Sequence, residues 1–269
     1  MPYRWLVTNA TFYIACFHPI SPKVAKKLLR AYPKAIPNEA LVERVSSTLK
    51  PYGYGESTLF CSSICSDELA RQLETDFGKI YGDHFSLGGL SGFAFGGVTG
   101  FTAMASHIPN DGSCLIVFGP HVGIDSDGIV GRAHRRGRTL TDSCCGSATA
   151  AAAYVAGVRS GQHVDAGFPT DVLDAEQAFV GKSLLPYGER LEKAAHPVWE
   201  LPLCLYDSQY KLIQRIVAAR CNQVQGNGKI ALVGGVQINT PSTMSDYFLP
   251  LCFEIRDNKG ALIKNLLWH

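Results

Sequence analysis

The stretch that most constrains the fold runs from Ser57 to Phe77, where a buried strand passes directly into a helix. Residues 57–60 are typical of the end of a strand, and apolar residues from Asp67 to Phe77 recur with helical spacing. Cys65 would lie at the junction. The carboxyl end of a strand is where α/β proteins place functional groups, and a helix amino terminus lowers the pKa of a thiol. The stretch therefore predicts an α/β fold with a reactive or ligating cysteine at a strand end.

The rest of the chain continues the alternation of helices and strands. Helices are predicted at 22–31, 38–49, 99–106, 148–158, 171–180 (continuing toward 185) and 207–221. Strands are predicted at 114–118, 229–240 and 247–255, and 5–17 is predicted as a strand or core segment. This pattern indicates a mixed, mostly parallel central sheet flanked by helices. We divide the chain into an N-terminal helical segment, 1–50, packed on the core, and one globular unit, 51–269.

Composition excludes several classes of function. With 269 residues, of which 46% are hydrophobic, the chain has ample material for a core. A net charge of +2 gives no basis for nucleic-acid binding, and the short basic cluster Arg132–Arg138 is interpreted as a solvated hairpin. The nine irregularly spaced cysteines favour free thiols in a reducing compartment. The chain has no apolar run long enough to cross a membrane, which needs about 20 residues.

A glycine-rich segment lies between Phe85 and Gly100. It contains neither a GxGxxG motif followed by an acid at the required distance nor the lysine of a P-loop, so a phosphate cradle is not favoured. Glycines allow close backbone approach, and we expect this segment to wrap over a small site.

Three residues of the metal-ligating type lie at predicted element ends: Cys65, His107 and Cys145. Their spacing does not match a CxxC motif, but each adjoins a helix end or a glycine turn, where distant parts of a chain can meet. Two thiolates and an imidazole leave one position of a tetrahedral Zn²⁺, which is catalytic if water fills it and closed if a carboxylate does. The simpler alternative is that Cys65 is a buried free thiol.

Asp67 and Arg71 are four positions apart, so they share a helix face and can form an ion pair. An exposed pair of this kind is common and weak, so taken alone it does not indicate function.

Six short motifs, in a fixed order along the chain, together resemble those of a known protein family. They are Cys65-Ser-Asp-Glu, Tyr81-Gly-Asp, Leu87-Gly-Gly-Leu-Ser-Gly, Ser106-His-Ile-Pro, Gly119-Pro-His-Val-Gly and Cys145-Gly-Ser-Ala. Together they resemble the low-CO2-inducible protein B/C family, algal and bacterial proteins related to β-type carbonic anhydrases. The resemblance is close from Ser57 to Val158 and loose elsewhere.

This resemblance implies a β-carbonic-anhydrase-like fold, a homodimer, and a zinc held by Cys65, His107 and Cys145. Asp67 matches the acid of an Asp–Arg dyad and Arg71 is its expected partner. Many β-carbonic anhydrases instead have C-x-D-x-R followed by H-x-x-C; here the arginine comes two residues later, and the histidine and last cysteine are far apart. Cys144 is the alternative to Cys145 as the ligand.

The implied activity is a zinc-dependent carbonic anhydrase that interconverts CO2 and bicarbonate through a zinc-bound hydroxide. Arg71 would hold Asp67 away from the metal, leaving an oxygen to accept the hydrogen bond of the bound water. The expected location is the cytoplasm, or the plastid stroma if a transit peptide has been removed from an algal protein, as part of a CO2-concentrating mechanism.

Two other functions stay open. One is a catalytically silent family member with a structural zinc that acts as a subunit of a complex. The other is a hydrolase with Cys65 or Cys145 as nucleophile and His107 or His121 as base, which needs no metal.

Four further residues are candidates for the pocket around the site: His121, His84, Phe93 and Phe95. His121 either lines the site and moves protons or has a structural role in its Gly-Pro-His turn, and His84 is similarly ambiguous. The two phenylalanines are predicted to form core or pocket wall.

Overall fold

The computed structural model describes residues 21–82, 84–165 and 167–268. Its α-helices are α1 (Pro22–Ala31), α2 (Asn38–Leu49), α3 (Arg71–Tyr81), α4 (Gly97–Ala105), α5 (Gly146–Arg159), α6 (Ala175–Leu184), α7 (Gly188–Lys193) and α8 (Pro197–Arg220). Its strands are β1 (Ile36–Pro37), β2 (Thr58–Ser63), β3 (His84–Ser86), β4 (Ser113–Phe118), β5 (His121–Gly123), β6 (Arg132–Ala133), β7 (Asp142–Ser143), β8 (Lys229–Asn239), β9 (Tyr247–Asp257) and β10 (Leu262–Asn265).

The strands form one eight-stranded mixed sheet and one short ribbon. The order along the sheet is β1-β9-β8-β4-β2-β3, with β10 beside β9 and β5 beside β8. The pairs β3–β2, β2–β4, β4–β8 and β5–β8 are parallel, whereas β9 is antiparallel to each of its neighbours. Strands β6 and β7 form the separate antiparallel ribbon. The predicted mixed, mostly parallel sheet flanked by helices is confirmed.

The long strand β8 supports two shorter strands in succession. Cys114–Phe118 of β4 pairs with Ile230–Gly234, and β5 pairs with Gln237–Asn239. Between them the backbone at Gly119 approaches β8 so closely that a Cβ there would lie 1.8 Å from the carbonyl oxygen of Gly235. A side chain is therefore excluded at Gly119, and β4 and β5 together follow β8 along its whole length.

Helices cover both faces of the sheet, as a parallel sheet requires. Helices α1, α4 and α8 contribute Leu28, Met104 and Ile213 to a core on one face. On the other face α2 and α3 contribute Leu41 and Phe77. All of β4 is buried, in agreement with its continuous apolar sequence.

Most predicted elements agree with the structure. Helices α1 and α2 have the predicted bounds. Helix α8 begins at Pro197 instead of 207, because the buried residues Leu201 and Leu205 extend its apolar face past Pro202. The prediction for 5–17 lies outside the described residues, and the division at residue 50 stays a prediction. Among the described helices, none has the length and apolarity needed to span a bilayer.

Candidate metal centre

Cys65, His121 and Cys145 form a buried group at the carboxyl edge of the parallel strands. Their ligand atoms lie within 4.8 Å of one another, and the two Sγ atoms are 3.8 Å apart. All three residues are at most 5% exposed. This set of donor atoms, two sulfurs and one imidazole nitrogen, is one that binds Zn²⁺.

The sheet explains why these residues meet. Ser63 at the end of β2 pairs with Phe118 at the end of β4, so Cys65 and His121 both follow the same edge of the sheet. Cys145 arrives from the β6–β7 ribbon and occupies the N-cap position of α5. Each residue therefore lies just beyond a strand or just before a helix, where the backbone turns toward its neighbours.

The imidazole of His121 is held in one orientation by Asn239. The Nδ2 of Asn239 donates to Leu69 O and to Asp246 Oδ2, each at 2.8 Å, so its Oδ1 must act as an acceptor. That Oδ1 lies 2.8 Å from His121 Nδ1, which therefore carries the proton. The buried Nε2 has no hydrogen-bond partner among the described residues, and its lone pair is available to a metal.

The electrostatics of the group favour a positive charge at its centre. The hydrogen bond from Cys65 lowers the pKa of Cys145 to about 4, against burial, with His121 acting in the same direction. Burial lowers the pKa of His121, but the surrounding Cys144, Cys145 and Cys65 raise it overall. Surroundings that favour a thiolate at Cys145 and a positive charge at the imidazole also favour a divalent cation bound to Nε2 in place of a proton, so these residues fit zinc.

Asp67 lies beside the group and is held by Arg135. Arg135 Nη1 donates to Oδ1 at 3.0 Å and Nη2 to Oδ2 at 2.7 Å, while the Leu69 amide donates to Oδ1 at 3.0 Å. Burial raises the pKa of Asp67, but these hydrogen bonds outweigh it and lower the pKa to about 2. Oδ2 lies 3.9 Å from His121 Nε2. An ionised carboxylate is thus fixed next to the ligand atoms.

The sequence matches the family described as limiting CO2-inducible proteins B/C β-carbonic anhydrases over residues 35–257. The chain belongs to this family. The crystal structure of PtLCIB4, a homologue of the limiting CO2-inducible protein LCIB, is 46% identical, covers 90% of this chain and 100% of its own, and superposes with a TM-score of 0.86. LCIB itself is 20% identical over 89% of this chain and 97% of its own, with a TM-score of 0.67, which establishes the shared fold. No curated protein matches the chain.

The structure corrects the histidine predicted for this LCIB-family site. His107 is exposed, follows α4, and packs edge-on against Phe85 at a ring distance of 5.6 Å. Helix α4 returns the chain to the amino ends of the strands, because β4 begins only a few residues after His107. His107 therefore lies at the opposite end of β4 from Cys65, and His121 takes the place predicted for it.

The predicted partner of Asp67 is also corrected. Arg71 donates from Nη1 to Glu74 Oε2 at 2.6 Å and from Nη2 to the carbonyl oxygen of Cys65, so its guanidinium is engaged away from Asp67. Arg135 belongs to the basic cluster interpreted as a solvated hairpin. Its side chain is 21% exposed, and the β6–β7 ribbon carries it across to Asp67.

The other candidates have structural surroundings. Phe93 and Phe95 pack in the apolar cluster that includes Cys65 and Cys145, so they form its wall. His84 lies at the start of β3 with Nε2 3.5 Å from Glu74 Oε1, apart from the ligand group. Cys144 lies on the other side of His121, with its Sγ 3.6 Å from Nδ1, so Cys145 is the sulfur that joins the group.

The sequence analysis named His121 only as a pocket residue or a base, and it did not connect Arg135 or Asn239 with the site. His121 had a usable signal, since it directly follows the carboxyl end of the apolar strand β4. Local spacing held no signal for Arg135 or Asn239, because each reaches the site through a contact between residues far apart along the chain.

Proposed function

We propose that this chain is a zinc-dependent carbonic anhydrase that interconverts CO2 and bicarbonate. The observation that carries the proposal is the placement of Asp67, held on both oxygens by Arg135, beside the buried group of Cys65, His121 and Cys145. A carboxylate engaged in this way is kept from closing the site as a fourth ligand. Membership of a β-carbonic-anhydrase family supports the same activity.

Two thiolates and one imidazole would hold Zn²⁺ and leave one tetrahedral position for a small molecule. When bound, the zinc would lower the pKa of a coordinated water to about 7, which makes a nucleophile available near neutral pH. The protein's part is to supply these ligands in one orientation, which Asn239 does for the imidazole.

Asp67 would act as a hydrogen-bond acceptor throughout. With a pKa lowered to about 2, it is ionised at neutral pH and cannot donate a proton there. Its Oδ2 is close enough to the ligand atoms to accept a hydrogen bond from a water in the site and so to orient the water's lone pair. Arg135 positions Asp67 and does not itself need to touch the substrate.

A small cavity lies beside two of the three residues of the ligand group. A cavity of about 20 Å³ adjoins His121 and Cys145, and its wall is largely apolar. The apolar side chains are Val122, Ala148, Val198, Leu201 and Pro202. A cavity of this volume admits about one water-sized molecule, which agrees with CO2 chemistry better than with the hydrolysis of a large substrate.

One purified sample tests the proposal with a metal analysis and a stopped-flow CO2 hydration assay. We expect about one zinc per chain, and hydration that falls to the uncatalysed rate in Cys65→Ala and Asp67→Ala. Full zinc with no hydration in the parent protein would instead identify a structural zinc in a silent subunit. A hydrolytic activity that is lost on thiol alkylation but kept after complete removal of metal would instead identify a cysteine-nucleophile hydrolase.

The resemblance carries three further parts of the proposal: a homodimer, a role in a CO2-concentrating mechanism, and a location in the cytoplasm or plastid stroma. Light scattering on the purified protein tests the first, and fluorescence localisation in the source cell tests the last.

A further inference from the structure

The segment from Ser62 to Arg71 carries both Cys65 and Asp67, and its two ends meet at one buried carboxylate. Glu74 of α3 is 6% exposed. Its Oε1 accepts a hydrogen bond from Ser62 Oγ at 2.5 Å, and its Oε2 accepts one from Arg71 Nη1 at 2.6 Å. The carboxylate therefore joins Ser62, near the end of strand β2, to Arg71, the first residue of α3.

Arg71 extends this connection to the metal centre. Its second amino group, Nη2, donates to the carbonyl oxygen of Cys65. A guanidinium is planar and rigid, so fixing Nη1 on Glu74 also fixes Nη2. The continuous path from Ser62 through Glu74 and Arg71 ends on the backbone of a predicted zinc ligand.

Apolar packing does not explain why a glutamate occupies position 74, since its carboxylate is buried. Glu74 lies between the core residues Leu73 and Phe77 on the buried side of α3. A buried carboxylate costs free energy unless it is paired, and an apolar side chain of similar size is often at least as stable there. The hydrogen bonds to Ser62 and Arg71 offset that cost, and their common effect is to hold the backbone at Cys65.

We propose that Glu74 is a positioning residue for the metal centre: through Arg71 it fixes the carbonyl of Cys65, and with it the direction of the Cys65 thiolate. Glu74 does not touch the metal or the substrate. The inference rests on the proposed function only where it concerns zinc; the fixing of the Cys65 backbone is a property of the protein alone.

The test is Glu74→Gln in the full chain, which keeps the size of the side chain but removes its charge. In metal-free protein, we expect faster amide hydrogen exchange in 62–71 and unchanged exchange in β8 and α5. In zinc-loaded protein, chelator competition should give an affinity about 10–100-fold weaker, the usual effect of losing a group that orients a ligand. Arg71→Lys, which keeps the charge but not the rigid fork, should act in the same direction.

The matched control is Glu192→Gln. Glu192 also accepts two hydrogen bonds from one arginine, Arg159, at 2.6 and 2.7 Å, but this pair is exposed and joins α5 to α7. We expect neither local exchange in 62–71 nor zinc affinity to change in this variant.

Unchanged exchange in 62–71 for both Glu74→Gln and Arg71→Lys would overturn the proposal. A uniform increase across the whole sheet would also overturn it, since that result means a general loss of stability. If the parent protein binds no zinc, the proposed function fails, while the exchange measurement still decides whether Glu74 fixes Cys65. If Glu74→Gln does not fold, Arg71→Lys decides alone.

Discussion

Arg135 binds both carboxylate oxygens of Asp67, at 3.0 Å and 2.7 Å, although the two residues are 68 positions apart in the sequence. The pair is largely shielded, with 21% of the arginine and 12% of the aspartate side chain exposed. A bidentate pair of this kind fixes the direction of the carboxylate as well as its charge.

The first prediction concerns this pair. In Arg135→Ala, Asp67 loses its two strongest hydrogen bonds and is free to turn toward the metal. We expect CO2 hydration to fall at least about 10-fold while zinc content is kept, a size typical of losing a group that orients a site. Stopped-flow hydration with metal analysis measures both. The control is Arg136→Ala at an exposed neighbouring position, and equal rates in the two variants would refute the assignment.

The second prediction separates the two histidines. His121→Ala removes the imidazole from the buried group, so we expect the purified variant to hold much less than one zinc per chain. His107 is exposed and packs on Phe85, so His107→Ala should keep its zinc. Elemental analysis of the two variants, purified side by side, gives the answer. Loss of zinc in His107→Ala with retention in His121→Ala would restore the histidine assignment made from the sequence.

The third prediction concerns Asn239, which holds the proton on His121 Nδ1. In Asn239→Ala the imidazole can rotate or change tautomer, so its Nε2 is less often available to the metal. We expect zinc affinity about 10–100-fold weaker, measured by competition with a chelator. An unchanged affinity would mean that packing alone orients the ring. Asn258→Ala, at a distant turn where the amide binds the Val224 carbonyl, serves as the control.

The fourth prediction is a pH dependence of stability. Burial raises the pKa of Asp246 from 3.8 to about 6, although hydrogen bonds from Thr240 and Asn239 act against the increase. Because the folded-state pKa is the higher one, the stabilising contribution is full below about pH 4 and is lost as pH rises through 6. The free energy of unfolding of the parent protein, minus that of Asp246→Asn, should therefore decrease from pH 4 to pH 7. Urea unfolding of metal-free samples measures it, and a constant or rising difference would contradict the prediction.

The amino-acid sequence determined most of the helices, the long strands β4, β8 and β9, the sheet class, and the positions of Cys65, Asp67 and Cys145 near element ends. Its ordered motifs determined the family. The helices, the strands and the ends of these elements depend on residue type and on spacing within one element, and helical periodicity or a strand-length apolar run records them directly. The bounds of α1 and α2 and the buried strand β4 are of this kind.

Only the tertiary structure decided which histidine joins the cysteines and which arginine binds Asp67. His107 and His121 lie on either side of β4, and the direction in which α4 returns the chain places His107 at the wrong end of the sheet. Arg71 is near Asp67 in sequence, but the buried carboxylate of Glu74 binds it, while the β6–β7 ribbon brings Arg135 to the dyad. Such pairs depend on strand register and crossover direction, which bring together residues that no local pattern relates.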